Sequence, residues 1–213
     1  MKEEDFLNLT NAYENIIFDY GGVFIDIDYN LTVKALQELS DIDVGTLYSK
    51  KEQVEIFDLL ETGRIGERDF LEALADILRI NKSHVGKVKD AWNAMLLDIH
   101  PERVFHLRRL SKSKRVFMLS NINEIHESFM VDYFDKHKNI GDFYSLFEKV
   151  YFSHNIGLRK PNVEAFEHVL EENKLDLKKT LFIDDSPQHV EAFSKLGGKA
   201  VYLNPANTFI TKF

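Results

Sequence analysis

The sequence predicts an α/β fold: a Rossmann-like parallel sheet core with a small all-α helical bundle inserted after its first strand. Three observations predict it. Short apolar runs bounded by turn residues recur along the chain, several nearly continuous, as strands buried on both faces require. Amphipathic helical stripes lie between them, the alternation that builds a parallel sheet. That rhythm breaks once, from about Asp26 to Ser111, where only helical patterns occur.

Taken in order, the opening dozen residues read as a polar extension of unassigned order. Asn15–Tyr20 (NIIFDY) is the first strand. Asn30–Ser40 and Lys51–Leu60 read as helices. Glu67–Arg79 carries Phe70, Leu71, Leu74, Ile77 and Leu78 at helical spacing, and Ser83–Leu97 carries Val85, Val88, Trp92, Met95 and Leu96. This stretch is too long for one crossover helix. Residues 27–105 are therefore expected to form a helical cap, with residues 1–26 and 106–213 forming the core. Further strands are expected at Arg115–Ser120, Lys149–Ser153, Thr180–Asp184 and Lys199–Leu203. Val163, Phe166, Val169 and Leu170 form one intervening helical stripe; Val190, Phe193 and Leu196 form another, ended by Gly197-Gly198.

Composition bounds the function. The 213 residues, 44% of them apolar, suffice for one core with an inserted module. There is no Cys, which excludes thiol nucleophiles, thiolate metal sites and disulfides. Lys and Arg total 27 against 35 Asp and Glu, a formal charge of -8, which argues against general nucleic-acid binding. Apolar runs such as Ile16–Phe18 and Val116–Leu119 are too short to span a bilayer, and the acidic start lacks signal-peptide character. A soluble cytoplasmic protein is expected, with no membrane or nucleic-acid partner.

In open parallel sheets ligands bind beyond the carboxyl ends of the strands. The polar residues that stand out all fall there: Asp19 with Tyr20-Gly21-Gly22, Ser120-Asn121, Gly157-Leu158-Arg159-Lys160-Pro161, and Asp184-Asp185-Ser186. Singly each has an ordinary reading. Asp after a strand is commonly a turn or helix cap, Ser186-Pro187 suits a helix start, and a Lys is most often solvated. Together they say more. Carboxylates some 4 Å apart repel by roughly 4 kcal/mol at an effective dielectric near 20, so Asp19, Asp184 and Asp185 need a compensating cation or a shared proton. An all-oxygen set without His or Cys suits Mg²⁺ rather than Zn²⁺. Ser120 and the amide of Asn121 can donate to an anion, and Lys160 adds a fixed positive charge. A carboxylate nucleophile, Mg²⁺, a hydroxyl and a Lys make a phosphoryl-transfer site.

These residues resemble the haloacid dehalogenase-like (HAD) superfamily. IIFDYGGVFIDID, LSN, GLRKP and FIDDS stand in the order of its four motifs over nearly the whole chain, and the insert resembles its helical cap. The branch of bacterial α-glucose-1-phosphate phosphatases is the most similar, through FD-x-G-x-V followed by IDID, ETGRIGERDF in the cap, and LSN-x-N. The resemblance implies that Asp19 is the nucleophile and a Mg²⁺ ligand, that the Gly21 carbonyl and Asp184 also bind the metal, and that Asp185 acts beside them. It implies that Ser120 and Asn121 hold phosphoryl oxygens and that Lys160 neutralises Asp19 and the transferring group. In capped members a cap loop selects substrate; the turn Thr62-Gly63-Arg64 is the candidate here, with Arg64 meeting the substrate.

Two positions depart from the family pattern. Gly21 stands where most family phosphatases carry a second Asp as general acid and base. His189 stands where the last motif often has Asp or Asn, and reads as a proton donor or as a solvated helix residue. The remaining His residues (84, 100, 106, 126, 137, 154 and 168) show no metal-ligand spacing and are expected at the surface or at helix ends. Trp92 is expected in the cap core. The sequence therefore points to a Mg²⁺-dependent phosphatase of a small phosphorylated metabolite, such as a hexose 1-phosphate. The alternatives are a catalytically silent member that binds a phosphometabolite or a partner, and a metal-independent dehalogenase.

Overall fold

The structure, a computed structural model, describes residues 3–45 and 55–204. Five strands form a parallel sheet: β1 (Asn15–Phe18), β4 (Arg115–Ser120), β5 (Lys149–Phe152), β6 (Thr180–Asp184) and β7 (Lys199–Tyr202), in the order β5-β4-β1-β6-β7. These are the five strands the sequence predicts. Alternation along them divides the apolar residues between two faces. Ile16, Phe18, Val116, Met118, Leu181 and Ile183 join one cluster, covered by helices Pro101–Leu110 and Glu124–Lys136. Ile17, Phe117, Leu119 and Phe182 point the other way, under helices Val163–Glu172 and Pro187–Lys195. There Phe166, Phe182 and Phe193 pack with ring centroids 5.2–5.4 Å apart, the spacing aromatic pairs prefer. The result is a sheet sandwiched between two helical layers.

The insert contains helices Tyr29–Gln37, Glu55–Glu61, Glu67–Ile77 and Val85–Asn93, with its own buried cluster around Phe70, Leu71, Leu74, Val88 and Trp92. Residues 51–54 of the helix expected at Lys51–Leu60 lie outside the described residues. Two expectations are corrected. The opening segment is a helix, Glu3–Asn11: Phe6 is buried in the sheet-face cluster, and Thr10 Oγ1 donates to the Phe6 carbonyl at 2.9 Å. The stretch between the first two core strands is also not wholly helical. β2 (Ile25–Ile27) and β3 (Leu96–Ile99) pair antiparallel where the chain enters and leaves the cap. Leu96 and Leu97 therefore belong to a strand, because the helix before them ends at Asn93. Val104, beyond β3, is buried against the sheet rather than in the cap. Among the described residues no helix is long and apolar enough to cross a membrane.

Candidate active site

Parallel register places the site. Phe18 lies level with both Met118 and Ile183, so Asp19, Asp184 and, one residue further along its strand, Ser120 reach the same sheet edge. Asp19 follows Phe18, and its N–H donates to the Ile183 carbonyl at 2.8 Å, directly beside Asp184. Asp19, Asp184 and Asp185 each offer a carboxylate oxygen within 4.8 Å of the others. Lys160 reaches in from the loop before helix Val163–Glu172. Its Nζ donates to Asp19 Oδ1 at 2.7 Å and to Asp184 Oδ2 at 2.6 Å, and it lies 5.4 Å from the centre of the Phe182 ring. Lys160 is 0% exposed. One ammonium thus faces two carboxylates in a dry setting, with a third alongside.

The electrostatics show how that imbalance is distributed. Burial dominates at Asp19 and, with Asp184 and Asp185 nearby, outweighs Lys160 and pushes its pKa up to about 7. Burial acts the same way on Asp184, but Lys160 and His189 overcome it and hold that carboxyl at about 2. Asp184 also accepts from the Ser186 N–H at 2.7 Å. Asp185 is raised to about 6 by burial and by Asp184. Burial opposes the charge on Lys160, but Asp184 and Asp19 prevail and raise its pKa, so it stays an ammonium ion.

These shifts have opposite signs for stability. The folded chain binds protons at Asp19 and Asp185 more readily than the unfolded chain. Their contribution is complete below the ordinary value of 3.8 and is lost as pH rises through about 6 and 7. Asp184 contributes in the other direction, losing stability only as pH falls towards 2. In EDTA, the melting temperature of the wild type should therefore fall more between about pH 5 and about pH 8 than that of Asp19→Asn. Equal falls in the two proteins would show that Asp19 is not the titrating group.

Backbone chemistry shapes the same corner. Gly22 has φ +67°, and a Cβ there would lie 1.9 Å from Asp185 Oδ2. Only glycine lets the turn after Asp19 and the Asp185 carboxylate come this close. Gly22→Ala is expected to cost about 1–3 kcal/mol in urea unfolding and to weaken any divalent-cation response of the melting temperature. An unchanged midpoint and response would contradict that account.

The expected residues do not all act alike. Ser120 is buried at the end of β4 and lines the cavity above the carboxylates. Asn121 is committed elsewhere: its Nδ2 donates to the Lys160 carbonyl at 2.8 Å and its Oδ1 accepts from the Lys160 N–H at 2.9 Å. Its side chain therefore fixes the loop that delivers Lys160, which leaves the main-chain N–H as the group of Asn121 open to an anion. His189 Nδ1 lies 3.1 Å from both Asp184 oxygens and so braces that carboxylate. Arg64 is a correction: it is exposed and absent from the cavity lining. The turn nevertheless touches the core. At Gly63 (φ +65°) a Cβ would lie 2.1 Å from the His154 carbonyl oxygen.

Between core and cap lies a cavity of about 780 Å³ that contains Asp19, Gly21, Ser120 and Asp185. Other residues lining it were given no site role by the sequence reading: Tyr29, Phe57, Asp58, Glu61, Arg103 and Arg159. Arg159 is the discoverable one, since it precedes Lys160 and must emerge near it. From the core its guanidinium pairs with Asp58 and, at 3.0 Å, with Glu61 of the cap. Trp92 lies in the cap core as expected, but it also stacks on His126, with centroids 5.4 Å apart. His106, His126 and His154 are not surface residues. His126 is buried in the cap–core seam with Nε2 3.2 Å from the Trp92 carbonyl, and burial pushes its pKa down to about 4.

A parallel sheet between two helical layers, with three carboxylates and a buried Lys at one strand edge beneath a helical cap, defines a capped α/β protein whose candidate site lies at the carboxyl ends of its strands. A model of the haloacid dehalogenase-like hydrolase family matches residues 13–197, and the chain belongs to that family. It is similar to a D-ribitol-5-phosphate phosphatase of Bacteroides thetaiotaomicron, 29% identical over 86% of this chain and 88% of that protein. A HAD family enzyme of the same organism, solved with magnesium and inorganic phosphate, superposes with a TM-score of 0.79. It is 27% identical and covers 94% of this chain and 99% of its own. A HAD-like family hydrolase from Porphyromonas gingivalis superposes at 0.81, with 26% identity over 94% of this chain and 96% of its own. None of these carries the name of the α-glucose-1-phosphate phosphatase branch, which rests on motif resemblance alone.

Proposed function

We propose that the protein is a Mg²⁺-dependent phosphatase that hydrolyses a small phosphorylated metabolite through an aspartyl-phosphate at Asp19. The observation that carries this reading is the buried Lys160 ammonium bridging Asp19 and Asp184, with Asp185 alongside. Three carboxylates and one ammonium leave a net charge near −2, which fits a divalent cation held by oxygen ligands. Asp19, Asp184, Asp185 and the Gly21 carbonyl would hold Mg²⁺, which when bound neutralises the carboxylates and the phosphoryl oxygens. Asp19 attacks phosphorus as the bond from phosphorus to the leaving oxygen breaks, forming an acyl phosphate; the departing oxygen takes its proton from solvent, since Gly21 offers no acid, and water then cleaves the acyl phosphate to restore Asp19 and free phosphate. Ser120 Oγ and the Asn121 main-chain N–H donate to the phosphoryl oxygens, while Lys160 holds Asp19 in line. The relatives support this reading, since one is named a phosphatase of a sugar-alcohol phosphate and another binds magnesium with phosphate.

The test is phosphate release from a panel of monoesters with Mg²⁺ and with EDTA, alongside thermal melts. Release should require Mg²⁺, and a saturating metal should raise stability by about 2.7 kcal/mol at a hundred times its dissociation constant. Asp184→Asn should lose most of both responses. Activity and melting temperature indifferent to Mg²⁺ and EDTA would sink the assignment and return the dehalogenase reading.

A further inference from the structure

Among the described residues, the charged side chains that line the cavity beyond the carboxylate centre are few, and each faces an opposite charge or a hydrogen-bond partner, although Arg159 Nε itself makes no hydrogen bond. Arg103, 1% exposed, donates from Nη2 to Asp26 Oδ1 at 2.6 Å and from Nη1 to the Phe24 carbonyl at 2.9 Å. Asp26 is held a second time by His100 Nε2 at 3.0 Å. Arg159 is shared between Asp58 and Glu61. His126 is buried with its ring nitrogens on Asn123 and the Trp92 carbonyl, so it is uncharged near neutral pH, and His189 is engaged by Asp184. Outside the Asp19–Asp184–Asp185 centre, the lining thus sets three carboxylates, Asp26, Asp58 and Glu61, against two paired guanidiniums, Arg103 and Arg159. Burial raises the pKa of Glu61 against the pull of Arg159, yet in either form of Glu61 this part of the lining carries no net positive charge. Among the described residues, no cation lining the cavity is left over for a second anion. Much of the remaining lining is apolar, with Phe57 and Trp92 stacked at centroids 5.3 Å apart beside Met95, Leu96 and Ile27, while Tyr29, Asn123 and Gln188 add neutral polar groups.

From this charge distribution we infer that the cavity selects phosphate monoesters whose leaving group is uncharged, and rejects those carrying a second anionic group such as a carboxylate or another phosphate. The inference rests on the phosphatase reading. It adds a rule of exclusion: Lys160, with Mg²⁺ when bound, would neutralise one phosphoryl group, and among the described residues lining the cavity no unpaired cation is left to neutralise a second charge. An anion there would have to shed water against Asp58, Glu61 and Asp26, whose nearest cations already have partners.

Two aryl esters of similar shape test this, phenyl phosphate and 4-carboxyphenyl phosphate. Intrinsic chemistry favours the second, because its phenolate is the better leaving group. The cavity should reverse that order, giving a kcat/KM about tenfold higher for phenyl phosphate at low salt. Added salt should narrow the gap as the repulsion is screened. The double variant Asp58→Asn/Glu61→Gln leaves Arg159 uncompensated and should move the ratio towards the carboxylated ester. Wild-type turnover of the carboxylated ester that equals or exceeds that of phenyl phosphate would overturn the inference while leaving the phosphatase reading intact. A salt-independent ratio, or a folded double variant with an unmoved ratio, would also overturn it. Release from neither ester with Mg²⁺ present would overturn the phosphatase reading and the inference together.

Discussion

Asp19→Asn should lower kcat by on the order of 10⁴-fold or more while leaving a folded protein. The substitution keeps the shape of the side chain and the hydrogen-bonding reach towards Lys160, but removes the charge that attacks phosphorus. Its effect on stability should run the other way in EDTA. Asp19 is deeply buried and its pKa is pushed up to about 7, so above that pH the wild type holds an ionised carboxylate that the fold disfavours. The variant should then be more stable by about 1–3 kcal/mol near pH 8 without metal. With saturating Mg²⁺ the order should reverse, because the wild type has the additional anionic ligand. Urea unfolding of both proteins, with and without Mg²⁺, measures the crossing. Substantial turnover by the variant would sink the covalent mechanism. A variant less stable than the wild type in EDTA would sink the account of Asp19 as a strained carboxylate.

Much of this arrangement was legible in the sequence because it depends on strand ends. The continuous apolar runs NIIF, RVFML and TLFI mark central strands, and parallel pairing brings the residues just beyond each run to the same edge. Asp19, Ser120 and Asp184 needed no further information. Contacts created by the docking of the cap were not legible. Arg159, Asp58 and Glu61 meet only because the helix Glu55–Glu61 is set against the Lys160 loop, a contact between residues about a hundred positions apart. The role of the Asn121 side chain was hidden for a related reason. Its amide suits an anion, but its contact with the Lys160 backbone is a loop-to-loop match that no local pattern announces. β2 and β3 escaped because three- and four-residue strands carry too little alternation to stand out from the helical patterns beside them. The opening helix escaped because Phe6 is the main residue anchoring it to the core.

Lys160→Met should produce the largest loss of stability and abolish turnover. The Lys160 side chain is fully buried, and Met fills similar volume over the Phe182 ring, so the variant isolates the charge from the packing. Removing one partner of a buried ion pair costs about 3–5 kcal/mol, because the remaining charges are left uncompensated. Here Asp19 and Asp184, which share that ammonium through contacts of 2.7 and 2.6 Å, would face each other with Asp185 beside them. Near pH 8 and without metal the full cost should appear. Near pH 5 it should shrink, since two carboxylates left together retain a proton between them. Adding Asp19→Asn to Lys160→Met removes one of the opposed charges, so near pH 8 without metal the double variant should be more stable than Lys160→Met by about 3–5 kcal/mol, more than the about 1–3 kcal/mol that Asp19→Asn gains alone. That is strong non-additivity in stability with no return of turnover, because nucleophile and cation are both gone. Urea unfolding of the wild type, the two single variants and the double variant closes the cycle. A coupling energy near zero would show that Lys160 supports the fold by packing alone, and that the carboxylates beside it do not sense its charge.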